Sequence, residues 1–283
     1  MNEATVAATF LVVFREALEA SLIVGIILTL LVRLRAQKYF SHVFASAFAA
    51  ILASMGAGFW MVTLTESAQG QAEKIIEGVI SIAASGVLTY MVFWMDKQGR
   101  KIKSDIESRV ETALSRNDYL AMISLPFFAV FREGTETVLF LKAISLQGGG
   151  AVSFWGGIWG FGLAVSIVTL IFLGGKKIPL RALFRSTGLL ILVIAAGLTA
   201  YGVHELEEIG WINPIIYPVW NINAILNEKE GIGSFLKALF GYNGNPSLTE
   251  VAVYWSYLIG VTFLIRNRRN DRDVAAPVGA GSR

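Results

Sequence analysis

The sequence predicts an all-α polytopic membrane protein of seven transmembrane helices, arranged as two inverted three-helix repeats plus a seventh helix. Three observations carry that prediction. Of 283 residues, 54% are apolar and 16% charged, against about a quarter charged in an ordinary soluble domain. The apolar residues fall in blocks of roughly 20 or more, the length that crosses a hydrocarbon core of about 30 Å. Finally, the segment Phe14-Arg15-Glu16-Ala17-Leu18-Glu19 returns, three blocks later, as Phe131-Arg132-Glu133-Gly134-Thr135-Glu136.

The first block covers residues 4–32. It begins without a basic n-region, because Glu3 is acidic and Arg15 is the first cation, which argues against a cleaved signal peptide. Further blocks lie at 41–64, 72–95, 119–141, 153–174, 182–203 and 249–265. Residues 1–95 then form the first three-helix repeat, 96–118 a cytoplasmic amphipathic linker and 119–210 the second repeat. An extracytoplasmic loop (211–248), the seventh span (249–266) and a cytoplasmic tail (267–283), disordered after Arg269, complete the chain. In the linker, Ile102, Ile106, Val110 and Leu114 recur every four residues among charges. That pattern suits a helix lying at the headgroups, and equally a solvated connector.

Basic residues set the orientation. Arg33, Arg35 and Lys38, the linker cations from Lys97 to Arg116, Lys176 to Arg185, and Arg266 to Arg283 occupy alternate connecting segments. The opposite segments hold only Lys74, Lys142, Lys229 and Lys237. By the positive-inside rule the N-terminus is outside and the C-terminus inside. Three spans precede the second motif, and three is odd, so the second copy enters from the opposite side, as in transporters built from inverted repeats.

Several function classes fall away. The absence of Cys excludes disulfides, thiol nucleophiles, zinc ribbons and iron–sulfur ligation. Only His42 and His204 offer imidazole. The cations flank apolar blocks, which points to membrane orientation and away from nucleic acid. No phosphate-binding GxxxxGK[ST] loop is present.

The chemistry concentrates where charge is most expensive. Arg15, Glu16 and Glu19 fall near the middle of the first span, and Arg132, Glu133 and Glu136 near the middle of the fourth. Each such charge costs about 2.5 to 3.5 kcal/mol at mid-bilayer, so the groups must face the protein interior. Residues three and four apart share a helix face. Glu16 therefore neighbours Glu19, Arg15 can pair with Glu19, and the second motif repeats both relations. Arg–Glu pairing could simply hold helices together, yet it leaves Glu16 and Glu133 without a local partner. Four carboxylates and two guanidiniums leave a formal −2, a site for a hard or borderline multivalent cation.

A second acidic group lies toward the predicted outer face. Glu66, Glu73 and Glu77 surround the start of the third span, where the helix dipole already favours them. His204, Glu205, Glu207 and Glu208 instead follow the C-terminal end of the sixth span, where the dipole disfavours negative charge and a bound cation accounts for them. Glu73, Glu77, His204, Glu205 and Glu208 form the predicted antechamber. Gly156 and Gly160 make a GxxxG pair for close helix packing. Pro126 can free a backbone carbonyl near the fourth-span motif. Trp60, Trp155 and Trp159 suit an interfacial belt.

FREALE and FREGTE match the RExxE signature of the oxidase-dependent iron permeases, the fungal high-affinity iron permeases and their bacterial iron-uptake relatives. The resemblance continues through EKIIEG (73–78), GVHELEE (202–208) and FGYNGNPSL (240–248). It implies seven spans, an outside N-terminus and inward transport of Fe3+ or Fe2+ as substrate, with no resident cofactor. Glu16, Glu19, Glu133 and Glu136 match the metal-binding carboxylates, and Arg15 and Arg132 the motif arginines. In this family a separate extracytoplasmic ferroxidase or iron-binding protein commonly delivers the iron, and the expected location is a bacterial cytoplasmic membrane. The motif interiors here are Ala-Leu and Gly-Thr, whereas Gly-Leu is common in fungal members. Alternatives are a permease for lead or manganese, a membrane metal sensor, and a di-iron oxidase. The last needs Glu-x-x-His pairs, which neither motif has.

Overall fold

The computed structural model describes residues 3–67, 70–98, 102–116, 118–148, 152–174, 180–228 and 230–274. These are helical in α1 (Glu3–Arg33), α2 (Phe40–Ser67), α3 (Gln71–Gln98), α4 (Ile102–Ser115), α5 (Tyr119–Gly148), α6 (Phe154–Gly174), α7 (Leu180–Glu208), α8 (Gly231–Phe240) and α9 (Leu248–Val274), with one 3-10 turn at Gln37–Tyr39 and no strand among the described residues. The chain is a polytopic membrane protein. In α2, α3, α6, α7 and α9 the helices are long and apolar enough to cross a bilayer. α1 and α5, of 31 and 30 residues, are also long enough, but carry the two charged motifs at their centres.

Three segments differ from the sequence expectation. α9 continues to Val274, through residues assigned to a disordered tail; 275–283 lie outside the described residues. The segment 211–248, assigned as loop, contains α8, an apolar ten-residue helix. α5 runs on past the predicted block 119–141 to Gly148, and 149–151 fall outside the described residues. Pro126 sits inside a continuous α5.

The helices pair across the chain. α1 runs along α6, α2 along α5 and α3 along α7, while α1 and α5 cross each other and α9 rests on α7. Small residues permit this. A Cβ on Gly160 would lie 2.6 Å from the Phe10 carbonyl oxygen and 2.9 Å from the Phe14 nitrogen. In the α2–α5 contact, Gly58 faces Val138, Gly134 faces Ser54, and the Ser54 hydroxyl reaches the Phe131 carbonyl at 3.3 Å. Such backbone approach stands in for the hydrophobic effect that helices lack within lipid.

Two apolar layers flank the centre of the bundle. On one side of the motifs, Ala8 and Val12 of α1 pack with Phe140, Ala143 and Ile144 of α5, parts of α3 and α7, and Ala238 and Leu239 of α8. On the other, Ile27, Leu30 and Leu31 of α1 pack with Met122 of α5, Tyr39, Val43, and Val110 and Ala113 of α4. The apolar stripe of α4 thus includes residues buried in protein, with Val110 fully inaccessible. α8 ends on Gly241 in the left-handed conformation, whose N–H donates to the Lys237 carbonyl. There the chain meets Gly197 of α7 so closely that a Cβ on Gly197 would lie 2.6 Å from the Gly241 Cα.

Glycines that face backbone and glycines that face open space should respond oppositely to one methyl group. Gly160→Ala forces α1 and α6 apart and lowers the melting temperature in detergent. Gly162→Ala, where nothing lies within 4 Å, leaves it unchanged or raises it, since alanine gains about 0.5 to 1 kcal/mol over glycine in a helix interior.

Candidate cation site

The two motifs meet where α1 crosses α5. Helical spacing puts Arg15, Glu16 and Glu19 within reach of one another on α1. Contrary to the expectation that Glu16 lacks a local partner, Arg15 Nη1 donates to Glu16 Oε1 at 2.7 Å, as Arg132 pairs with Glu133, because a long guanidinium side chain reaches its neighbour in sequence; Arg15 Nη2 lies 3.1 Å from Glu19 Oε1. On α5, Arg132 Nη2 is 2.8 Å from Glu133 Oε1 and Nε is 3.3 Å from Glu136 Oε1. One carboxylate oxygen from each of Glu16, Glu19 and Glu133 lies within 4.8 Å of the others. Glu136 stands outside this trio.

The trio is buried: 1% of Glu16, 2% of Glu133 and 6% of Glu19 is exposed. Glu16 Oε2, Glu133 Oε2 and Glu136 Oε2 are shielded from solvent and accept no hydrogen bond. An unsatisfied buried carboxylate oxygen forfeits its hydration without compensation. Three converging carboxylates, two of which keep an oxygen free, beside one buried guanidinium, constitute an oxygen-rich seat short of positive charge. A multivalent cation would satisfy all three at once.

The arginines occupy different surroundings. Arg15 is almost fully buried, and α3 closes over it, with Nη1 donating to Met91 Sδ at 3.3 Å and Nη2 to Met95 Sδ at 3.5 Å. The Arg132 side chain is 43% exposed and its guanidinium lies over the Trp94 ring, 4.8 Å from the centroid. α3 therefore touches both motif arginines, through residues that sequence reasoning did not single out. Their only signal was Met91, Trp94 and Met95 sharing one end of an apolar helix, which reads as ordinary packing.

The residues of the predicted antechamber fall into separate groups. Glu77 Oε2 accepts a hydrogen bond from Tyr201 at 3.1 Å, between α3 and α7, and Glu205 is buried on α7. Glu73 is exposed in the first turn of α3. His204 turns instead toward α9: its Nδ1 is 3.1 Å from Glu250 Oε1, and its Nε2 is 3.4 Å from Glu208 Oε1. Glu208 also pairs with Lys74. The structure adds Glu250, which with His204 and Glu207 forms a second group whose ligand atoms lie within 4.8 Å of one another. Glu250 has a structural duty there. Ser247 N–H donates to Glu250 Oε1 and Glu250 N–H to Ser247 Oγ, each at 3.0 Å, a capping box that starts α9 and was legible as Ser247-x-x-Glu250. Asn243 donates to the other oxygen at 2.7 Å. The Glu66 side chain lies outside what the structure describes.

The arginines should differ in what they contribute to stability. Arg15→Ala strips the counter-charge from two buried carboxylates and costs about 3 to 5 kcal/mol. Arg132→Ala also uncovers the buried Glu133 carboxylate, but the lost guanidinium is half-exposed and water takes part of its place, so the cost is smaller, about 1 to 3 kcal/mol. Denaturant unfolding in detergent, followed by circular dichroism, measures both.

Comparison with known proteins identifies the family. Residues 6–267 match the model of the Iron permease FTR1 family. The ferrous iron permease EfeU of Yersinia pestis is 35% identical over 257 residues, covering 90% of this chain and 91% of that protein. EfeU of Escherichia coli O6:H1 is 34% identical over 252 residues, covering 88% and 91%. No solved structure matches. A family match spanning both motifs and nearly the whole length means that this chain belongs to the FTR1 iron permease family.

Proposed function

We propose that the chain imports iron across a bacterial inner membrane through the carboxylates gathered where α1 and α5 cross. The observation that carries this reading is the convergence of Glu16, Glu19 and Glu133, all buried, with an oxygen of Glu16 and of Glu133 left unpaired. Family membership and the name of the relatives, ferrous iron permease, supply the ion. Glu136, paired with Arg132, stands one helical turn along α5 as a further carboxylate on the route.

In this reading α1 and α5 are spans as well, making seven, with the N-terminus outside and the C-terminus inside. The two halves are inverted repeats. Helix pairing supports that symmetry, because exchanging α1–α3 for α5–α7 turns the α1–α6 contact into α5–α2 and maps α3–α7 onto itself. Iron is received at the outer carboxylates, the Glu77 and Glu205 group and the His204 group, from a separate ferroxidase or iron-binding protein. It then reaches the central seat, where the arginines release the carboxylates they hold. An inside-negative potential favours entry by about 2.3 kcal/mol per charge per 100 mV. Movement of one half against the other opens the seat to each side in turn.

Radioactive iron uptake into sealed liposomes tests this reading. Wild type should accumulate iron, and Glu16→Gln/Glu133→Gln, inserted and folded to the same extent, should fall to the level of empty vesicles. Undiminished uptake by the variant would refute a conduction site at these carboxylates.

A further inference from the structure

We propose that Met91 and Met95 are ligands for the transported ion, and that the ion takes the seat held by the Arg15 guanidinium when the site is empty of metal. The inference rests on the permease reading and deepens it, by naming the donors that choose among cations.

Arg15 is itself a buried cation, so its neighbours report what another cation would meet. On one side are Glu16 Oε1 at 2.7 Å and Glu19 Oε1 at 3.1 Å. On the other are Met91 Sδ at 3.3 Å and Met95 Sδ at 3.5 Å. The two sulfurs come from positions four apart on α3, hence from one helix face. Met91 is 3% exposed. Leucine would fill the same volume, but would leave the guanidinium facing hydrocarbon. The Arg15 Nε has no partner as it stands, so the guanidinium is held by its two terminal nitrogens alone.

A metal ion in that seat would draw its donors closer, to about 2.0 to 2.3 Å for zinc with oxygen or sulfur. The shift from 3.3 Å is about 1 Å, within reach of a methionine chain with its three rotatable bonds. Glu133 adds the third carboxylate from α5. The resulting set is three carboxylates and two thioethers. Thioether sulfur is soft and adds nothing for Mg2+, Ca2+ or Fe3+, which are hard. It favours Fe2+ and, more strongly, the softer Cd2+. The carboxylates set the charge of the site and the methionines tilt it toward borderline divalent ions.

The test uses full-length protein in detergent and in liposomes. Selenomethionyl protein, loaded with Fe2+ without oxygen, is examined by X-ray absorption at the iron edge. An iron–selenium scattering shell is expected, and it should vanish in a sample carrying Met91→Leu/Met95→Leu. In uptake assays Cd2+ should compete with Fe2+ in wild type and lose about tenfold in potency in the leucine variant. Met91→Cys, in a chain with no other cysteine, should restore or raise Cd2+ potency. Bound iron that disappears in Glu16→Gln/Glu133→Gln, yet shows only oxygen neighbours in wild type, would overturn the thioether inference and leave the permease reading standing. Unchanged Cd2+ potency in the leucine variant would do the same. Iron binding that survives loss of both glutamates would overturn the central site itself.

Discussion

Burial of charge where α1 crosses α5 is the constraint from which the rest of the architecture follows. Arg15, Glu16, Glu19 and Glu133 are within a few per cent of complete burial. In a low-dielectric interior such groups persist only when paired with one another or with an ion. To bring them together, two motif helices must approach closely, and each is sheathed on its other face by a helix from elsewhere in the chain. α6 meets α1 over Gly156 and Gly160, and α2 meets α5 over Ser54 and Gly58. The small residues are the means by which the charges reach each other.

The same six-residue motif produces two environments, because burial depends on what covers a helix as well as on the helix itself. Arg15 is enclosed by the thioethers of Met91 and Met95. Arg132 lies half in the open against Trp94. A guanidinium over an indole face keeps an attractive contact while its edge is free. A guanidinium locked by two carboxylates and two sulfurs can leave only when something replaces its charge. The motif copies are therefore unequal in enclosure: the Arg132 side chain is 43% exposed and that of Arg15 2%.

Much of this was legible in the residues. Spacing of three and four put Arg15 with Glu19 and Glu16 beside Glu19, and the cost of mid-membrane charge pointed to the same positions. The GxxxG pair of α6 is used for close packing. α8 was missed because ten residues are too few to span a bilayer, although Ile232, Phe235, Leu236, Leu239 and Phe240 recur at the i, i+3, i+4, i+7 spacing of an amphipathic helix. The α3 contribution was hidden for a different reason: methionine and tryptophan in an apolar helix are the default filling of a core, and only the placement of Arg15 distinguishes Met91 from any other packing residue. His204 shows the limit of proximity in sequence. Adjacent to Glu205 along the chain, it faces α9 and pairs with Glu250, because neighbours on a helix point about 100° apart.

The two apolar layers constrain how an ion could pass. Along α1 the carboxylates lie between Val12, in the layer that includes α8, and Ile27, in the layer that includes α4. Along α5 they lie between Met122 and Phe140, in the reverse order of layers. α1 and α5 belong to both layers, so moving either motif helix as a rigid body would disturb both sides of the site together. Only elements unique to one layer can open that side alone: α3, α7 and α8 at one end, and α4 with the start of α2 at the other. Under the permease reading, one group of helices must yield while the other holds. α3 and the layer it shares with α8 carry an extra consequence, since α3 also supplies Met91 to that layer and to the Arg15 seat. If that end opens by movement of α3, the thioethers move relative to the carboxylates, and access from that side is coupled to the composition of the seat.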